Sequence, residues 1–348
     1  MNHSSNANPL FRSFQLGGMT LASRIVMAPM TRQFSPEGVP GENVARYYRA
    51  RAENAVGLIV TEGTIVEHAD ASNQANVPHF YGAAALQGWA HVVREVHEAG
   101  GRIMPQIWHM GARGDVNGYS EAEIAEIVQA FADAAAAARR LGFDGIELHG
   151  AHGYLIDQFL WERTNSRTDR YGGDRAARTR FAVEVVEACR AAVGPDFPIM
   201  LRLSQWKGVD FEARLAETPE QWAEIVNPLV EAGVDVFHCS TRRYWQPEFA
   251  DADAELNLAG WTKKLTGKPV VTVGSVGLDG DVSRFFREGQ GAANTGVDEI
   301  VKRLEREEFD LVAVGRALLA DPAWARKLRD GRTTEWEPFA REALQTLR

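Results

Sequence analysis

The chain has 348 residues, 45% of them apolar and 24% charged, with a formal net charge of −9. That is the composition of a globular protein able to bury a large core, and the acidic balance, offset by no basic patch, argues against nucleic acid or an anionic membrane surface as a partner. Two cysteines, Cys189 and Cys239, cannot form a disulfide framework or hold an iron–sulfur cluster, and no apolar run reaches the ~18 residues of a membrane helix.

The N-terminal stretch Met1–Pro9 is polar and lacks an apolar signal core, so the cytoplasm is the expected location. Phe14–Leu21, with Gly17-Gly18 at its centre, reads as a hairpin. Eight short apolar runs follow: Arg24–Met30, Val56–Gly63, Arg102–His109, Gly145–His149, Ile199–Ser204, Val236–Thr241, Val270–Ser275 and Leu311–Arg316. They are nearly continuous in Val, Ile, Leu and Met, the pattern of parallel strands covered on both faces. Helix-like segments separate most of them. Ala85–Ala99 is one, and Ser120–Leu141 opens on a Ser-x-x-Glu capping box and stops at Gly142. Ala176–Val193, a helix opening on Thr218-Pro219, and Asp321–Leu328 supply others.

This alternation, unbroken by any linker, predicts an α/β fold: one (β/α)8 TIM barrel domain over residues 1–348, with the hairpin closing the barrel bottom. An open doubly wound sheet fits less well, because its first strand would end in a Gly-rich turn and here it ends in Ala28-Pro29-Met30-Thr31. Arginines cluster between Arg163 and Arg180, but interleaved acidic residues make that stretch a solvated surface.

In such a barrel, chemistry gathers at the C-terminal ends of the strands. Those ends carry Pro29-Met30-Thr31, Glu62-Gly63-Thr64, Gln106 to His109, His149 to Tyr154, Arg202 with Ser204, Thr241-Arg242-Arg243, Gly274-Ser275 and Gly315-Arg316. Glycines after the last two strands let bare backbone N–H groups approach an oxyanion, and Arg316 adds charge-assisted donors, so a phosphate-bearing cofactor is expected there. His149-x-x-His152 admits three readings: a metal site with Glu147 as third ligand, a structural pair, or two donors to a substrate carbonyl. The helical His-Glu-x-x-His spacing of zinc proteases is absent. Tyr154 is a usable general acid or a packing aromatic, and Gln106 either meets a ligand or bonds to loop backbone. Trp108 and His109 either wall the pocket or pack under the next loop. His68, His79, His91, His97 and His238 have no motif around them and read as surface or core residues.

Gly142–Tyr154, followed by Asp157–Leu160 and Asn165–Gly173, resembles the Old Yellow Enzyme family of flavin-dependent ene-reductases. The resemblance extends from Arg24–Thr31 to Val314–Pro322. It implies FMN across the barrel mouth. Pro29, Met30 and Thr31 would lie beside the flavin with Thr31 at O4, Gly63 and Gln106 on the pyrimidine side, and Arg202 near N1 and O2. Gly274, Ser275, Gly315 and Arg316 would hold the phosphate.

It further implies that His149 and His152 bind the carbonyl or nitro group of an activated alkene. NADH or NADPH would reduce the FMN in the same pocket, hydride would pass to the β-carbon, and Tyr154 would protonate the α-carbon. The expected protein is a monomer or homodimer acting on a small molecule. The alternatives are a metal-dependent barrel hydrolase or lyase using His149 and His152, and a flavoprotein that reduces only oxygen or quinones. Two departures from the family pattern stand out. Met110–Tyr119 is a short connection, which predicts a more open mouth and puts the usual substrate range in doubt. Gly289–Val301 is a long one, and its portion Gly289–Gly296 is expected to be mobile, as a partial lid or a partner surface.

Overall fold

The computed structural model describes residues 8–348; the polar Met1–Ala7 stretch, read above as lacking a signal core, lies outside them. An antiparallel hairpin of β1 (Phe14–Leu16) and β2 (Met19–Leu21) leads into eight parallel strands. These are β3 (Ile25–Met27), β4 (Leu58–Ile65), β5 (Ile103–Trp108), β6 (Ile146–His152), β7 (Ile199–Lys207), β8 (Val236–Ser240), β9 (Val270–Val273) and β10 (Leu311–Val314). They close into a barrel in the order β10-β3-β4-β5-β6-β7-β8-β9, as the strand–helix alternation predicts.

Each barrel strand is buried on both faces, which is why its sequence reads as a run rather than an alternation. Outward residues such as Ile59, Ile103, Ile146, Leu201 and Phe237 pack against helix residues including Trp89, Phe131, Phe181 and Trp222. Inward residues Val26, Leu58, Met104, Met200, Val236, Val271 and Leu311 form a second core with Leu16, Met19 and Leu21 of the hairpin. The hairpin therefore plugs the end of the barrel at which the strands start. Its turn is made by Gly17 at φ +56°, a conformation that disfavours larger residues.

The helices follow their sequence signals. Ser120 Oγ accepts from the Glu123 N–H at 3.2 Å, Glu123 Oε2 accepts from the Ser120 N–H at 2.7 Å, and helix Glu121–Leu141 ends at Gly142 with φ +85°. Thr218 caps helix Pro219–Ala232. The last of the expected helices begins later than read, at Trp324 rather than Asp321. Asp321 instead accepts from the Ala323 N–H and from Lys327 Nζ, and Pro322 cannot continue the preceding Arg316–Ala320 helix.

Two further boundaries differ in ways that matter for function. β6 and β7 run past their apolar segments, and after a register shift beyond Gly150 they pair again at His152 and Lys207. Polar residues continue the ladder there, so hydrophobicity ends before the strand does. The stretch Gly289–Gly296 is tied down rather than free: Ala292 bridges Phe339, Asn294 bridges Leu278, and Asn294 Nδ2 donates to the Trp336 carbonyl at 3.0 Å. Among the described residues no helix is long and apolar enough to cross a membrane.

The plug should contribute directly to stability. Leu21→Ala empties a fully buried site beneath the barrel and is expected to cost about 2–5 kcal/mol, read as a lower urea midpoint at unchanged m-value.

Candidate active site

A cavity of about 710 Å³ opens at the C-terminal ends of the strands. Twelve of the thirteen residues singled out from the sequence line it: Pro29, Met30 and Thr31 after β3, Gln106 on β5, His149, His152 and Tyr154 at the end of β6, Arg202 on β7, Gly274 and Ser275 after β9, and Gly315 and Arg316 after β10. Gly63 is not among them. A Cβ at that position would sit 2.2 Å from the Trp108 ring, so the glycine serves to let that indole lie across β4. Trp108 itself walls the cavity, whereas His109 is buried under the following loop against His68 Nδ1 at 3.0 Å, where burial pushes its imidazole down to about 3.

Each wall has its own support. Glu62 Oε2 accepts the backbone N–H groups of Arg32 and Gln33 at 2.8 and 3.1 Å, which fixes the turn just after Thr31. Burial raises its carboxyl to about 7, opposed by those two bonds. Gln106 Nε2 donates to Glu147 Oε1 at 2.7 Å, leaving the amide oxygen for the cavity. Glu147 Oε2 accepts from His238 Nδ1 at 2.6 Å, and both side chains are fully buried. That arrangement answers the metal reading. Glu147 is committed to Gln106 and His238, and among the described residues no three His, Cys, Asp or Glu side chains are grouped to hold a metal.

The loop after β6 is held in an unusual shape. His152 and Gly153 have φ of +65° and +88°. The Gly153 N–H donates to Asp157 Oδ2 at 2.6 Å, and Asp157 Oδ1 takes Lys207 Nζ at 2.7 Å in an ion pair with no solvent exposure. Within this frame the His149 ring lies 5.1 Å from that of His152 and 4.9 Å from that of Tyr154. Burial, reinforced by the Arg202 charge, holds both imidazoles well below their usual value. Burial raises the Tyr154 phenol, which therefore keeps its proton.

Toward β9 and β10 the wall turns cationic and glycine-edged. Gly274, at φ +149°, lies so close to β8 that a Cβ would fall 2.7 Å from the Thr241 carbonyl. The Ser275 hydroxyl donates to the backbone carbonyl of Arg242 at 2.9 Å, so its contribution to a ligand is its main chain. Arg316 is anchored on the carbonyls of Gly280 and Asp281. In the centre, buried Arg202 Nε has no hydrogen-bond partner among the described residues. A cradle for an oxyanion, an unsatisfied guanidinium N–H and a free amide oxygen along one cavity suit the phosphate and the polar ring edge of FMN.

Sequence reading missed several lining residues. The Trp206 ring lies 4.4 Å from that of His152, tilted by 30°, and Ser240 sits between Arg202 and His152. Strand alternation carried that signal, since Trp206 shares the inward parity of Arg202 and Ser204, and Ser240 that of His238. Phe285 and Phe286, on helix Val282–Glu288, and Phe339 and Leu344 near the C-terminus also line the mouth, with no local signal for it. None of residues 289–296 does.

Comparison with known proteins agrees with this geometry. The profile of the NADH:flavin oxidoreductase / NADH oxidase family matches residues 9–121 and 115–335. An NADH oxidase of Thermoanaerobacter brockii is 34% identical across 96% of this chain, which spans 52% of that relative's length. A putative 12-oxophytodienoate reductase 3 of Oryza sativa subsp. japonica is 31% identical over 92% of this chain and 85% of its own. Morphinone reductase, solved in complex with tetrahydroNAD, superposes with a TM-score of 0.77 at 27% identity, covering 93% of this chain and 91% of that one. The chain belongs to the NADH:flavin oxidoreductase / NADH oxidase family, the Old Yellow Enzyme family of FMN- and NAD(P)H-dependent oxidoreductases.

Proposed function

We propose that this protein is an ene-reductase, reducing the activated C=C bond of a small α,β-unsaturated carbonyl or nitro compound at the expense of NADH or NADPH. One observation carries the reading: two buried imidazoles and a phenol converge on one side of a cavity whose other side is a cation-walled cradle. FMN, when bound and reduced by the nicotinamide, supplies the hydride for the β-carbon.

The protein's own groups do the rest. His149 and His152 donate N–H bonds to the substrate oxygen and draw charge from the alkene. Kept neutral by burial and the Arg202 charge, they act as donors over the whole physiological range. Tyr154, on the same loop, delivers a proton to the α-carbon. Arg202, whose Nε has no partner among the described residues, would place positive charge at the N1 and O2 edge of FMN. The Gln106 oxygen, held outward by Glu147, would accept from the pyrimidine edge, and Pro29, Met30 and Thr31 would bound the flavin, with Thr31 toward O4. Gly274, Ser275, Gly315 and Arg316 would hold the phosphate, and Gly63 acts through Trp108. The short Met110–Tyr119 connection leaves substrate choice to Phe285, Phe286, Phe339 and Leu344 at the mouth. A single barrel domain working in the cytoplasm as a monomer or homodimer completes the proposal.

Half-reactions separate the roles. Tyr154→Phe is expected to slow reoxidation by an alkene by about 10²–10⁴-fold in stopped-flow, while reduction by NAD(P)H keeps its rate. Equal slowing of both halves would refute the proton-donor role. His149→Ala should weaken binding of p-hydroxybenzaldehyde roughly 10-fold or more, followed by the long-wavelength flavin band, with FMN retained. Because both imidazoles are already neutral, phenol binding should follow the ligand's own ionisation, with no break near the ordinary imidazole value of 6.5. An enzyme that passes electrons from NAD(P)H to oxygen or quinones, but yields no reduced alkene across a panel of enones and nitroalkenes, would sink the ene-reductase assignment.

A further inference from the structure

We propose that Ser240 is a positioning residue that couples the cofactor-side cation Arg202 to the substrate-side imidazole His152, by fixing which ring nitrogen of His152 carries the proton. The inference rests on the reading of His152 as a substrate donor, and it follows from counting protons around one buried hydroxyl.

Arg202 Nη2 lies 3.2 Å from Ser240 Oγ, and a guanidinium can only donate, so the hydroxyl accepts there. His152 Nε2 lies 2.8 Å from the same oxygen. Ser240 is 2% exposed, and these two are the partners of its hydroxyl among the described residues. If His152 also donated to it, the serine proton would be buried without an acceptor. Donation from Ser240 to Nε2 satisfies every group. The proton of the neutral ring is then on Nδ1.

His149 is set the opposite way. Its Nδ1 faces the Ala151 N–H at 3.4 Å and accepts from it, which leaves the proton on Nε2. The two rings are thus opposite tautomers, each with one N–H to offer a substrate oxygen. With the tautomer of His152 reversed, Nδ1 would present a lone pair, and the ring would repel a carbonyl instead of holding it.

Ser240 restrains the same ring a second time. Its backbone carbonyl accepts from Trp206 Nε1 at 3.0 Å, and the Trp206 ring lies 4.4 Å from that of His152. The positive charge of Arg202 polarises the serine O–H, which strengthens its donation to Nε2. The sequence of donors runs Arg202 to Ser240 to His152 to substrate, so the residue beside the flavin edge and the residue beside the substrate share one hydroxyl.

The test combines a tautomer measurement with a binding cycle. Ring ¹⁵N shifts of His152 are recorded in the FMN-loaded protein for the parent, Ser240→Ala and Ser240→Thr, and p-hydroxybenzaldehyde is then titrated into each. The expected result is Nδ1–H in the parent and in Ser240→Thr, and loss of that preference in Ser240→Ala, with about tenfold weaker phenol binding. In a His152→Ala background, Ser240→Ala should add nothing to the loss. An unchanged tautomer in Ser240→Ala, or losses that simply add, would overturn the relay. If Ser240→Ala shifts the tautomer while His152→Ala leaves phenol affinity intact, the relay stands, and it is the substrate-donor reading of His152 that fails.

Discussion

A guanidinium buried in the middle of a barrel is the constraint around which the site is organised. Removing a charge from water costs several kcal/mol even after relaxation, and the cost must be met by neighbours on the same layer. Here the inward positions of β5 to β8 supply Gln106, Glu147, Arg202, His238 and Ser240, stacked above the apolar layer of Met104, Met200 and Val236. Glu147 is the compensating charge, and burial still lowers Arg202 against it. Once Glu147 and Arg202 are both inside, little freedom remains. The carboxylate dictates that Gln106 turns its amide nitrogen inward and its oxygen to the cavity, and the guanidinium occupies the Ser240 hydroxyl that touches His152.

The second requirement is to lift His149, His152 and Tyr154 above the barrel without losing their aim. Extending β6 and β7 by polar ladder residues does this. The left-handed backbone at His152 costs of order 1–3 kcal/mol and persists because Asp157 and Lys207 pin it in a dry ion pair. The opposite rim is secured from the far end of the chain. Arg32, next to Thr31, donates to the carbonyls of Leu344 and Thr346 at 3.1 and 2.9 Å, so the turn after β3 is tied to the C-terminal segment that borders the cavity mouth.

The mouth is shaped by segments outside the barrel strands. The connection Met110–Tyr119 is braced by Arg113, which pairs with Asp70 and Glu123 and lies over Tyr119. An aromatic border lies on helix Val282–Glu288 and the C-terminal segment. The polar layer beneath depends on inward strand positions, not on these segments.

The number of barrel strands, their order, the plugging hairpin and the capped helix ends at Ser120, Gly142 and Thr218 were legible in the sequence, because burial on both faces and capping are local in the chain. Twelve of the thirteen residues that the resemblance named line one cavity for a related reason: a barrel delivers every strand end to one rim, whatever the loops do. Gly63 looked like a contact and proved to be a clearance for Trp108, a distinction that needs the neighbouring strand. His238 read as a surface or core residue and proved to hold Glu147, and for Ser240 strand parity gave an inward position but no role, since a hydroxyl acquires a role only from what lies within about 3 Å of it. The mouth was least legible. Phe286 and Leu344 are 58 positions apart, and only the closing of the barrel and the docking of the C-terminal segment bring them to one cavity. What kind of residue stands at each strand end is a property of the chain; which proton it holds, and whom it faces, is a property of the neighbours that folding supplies.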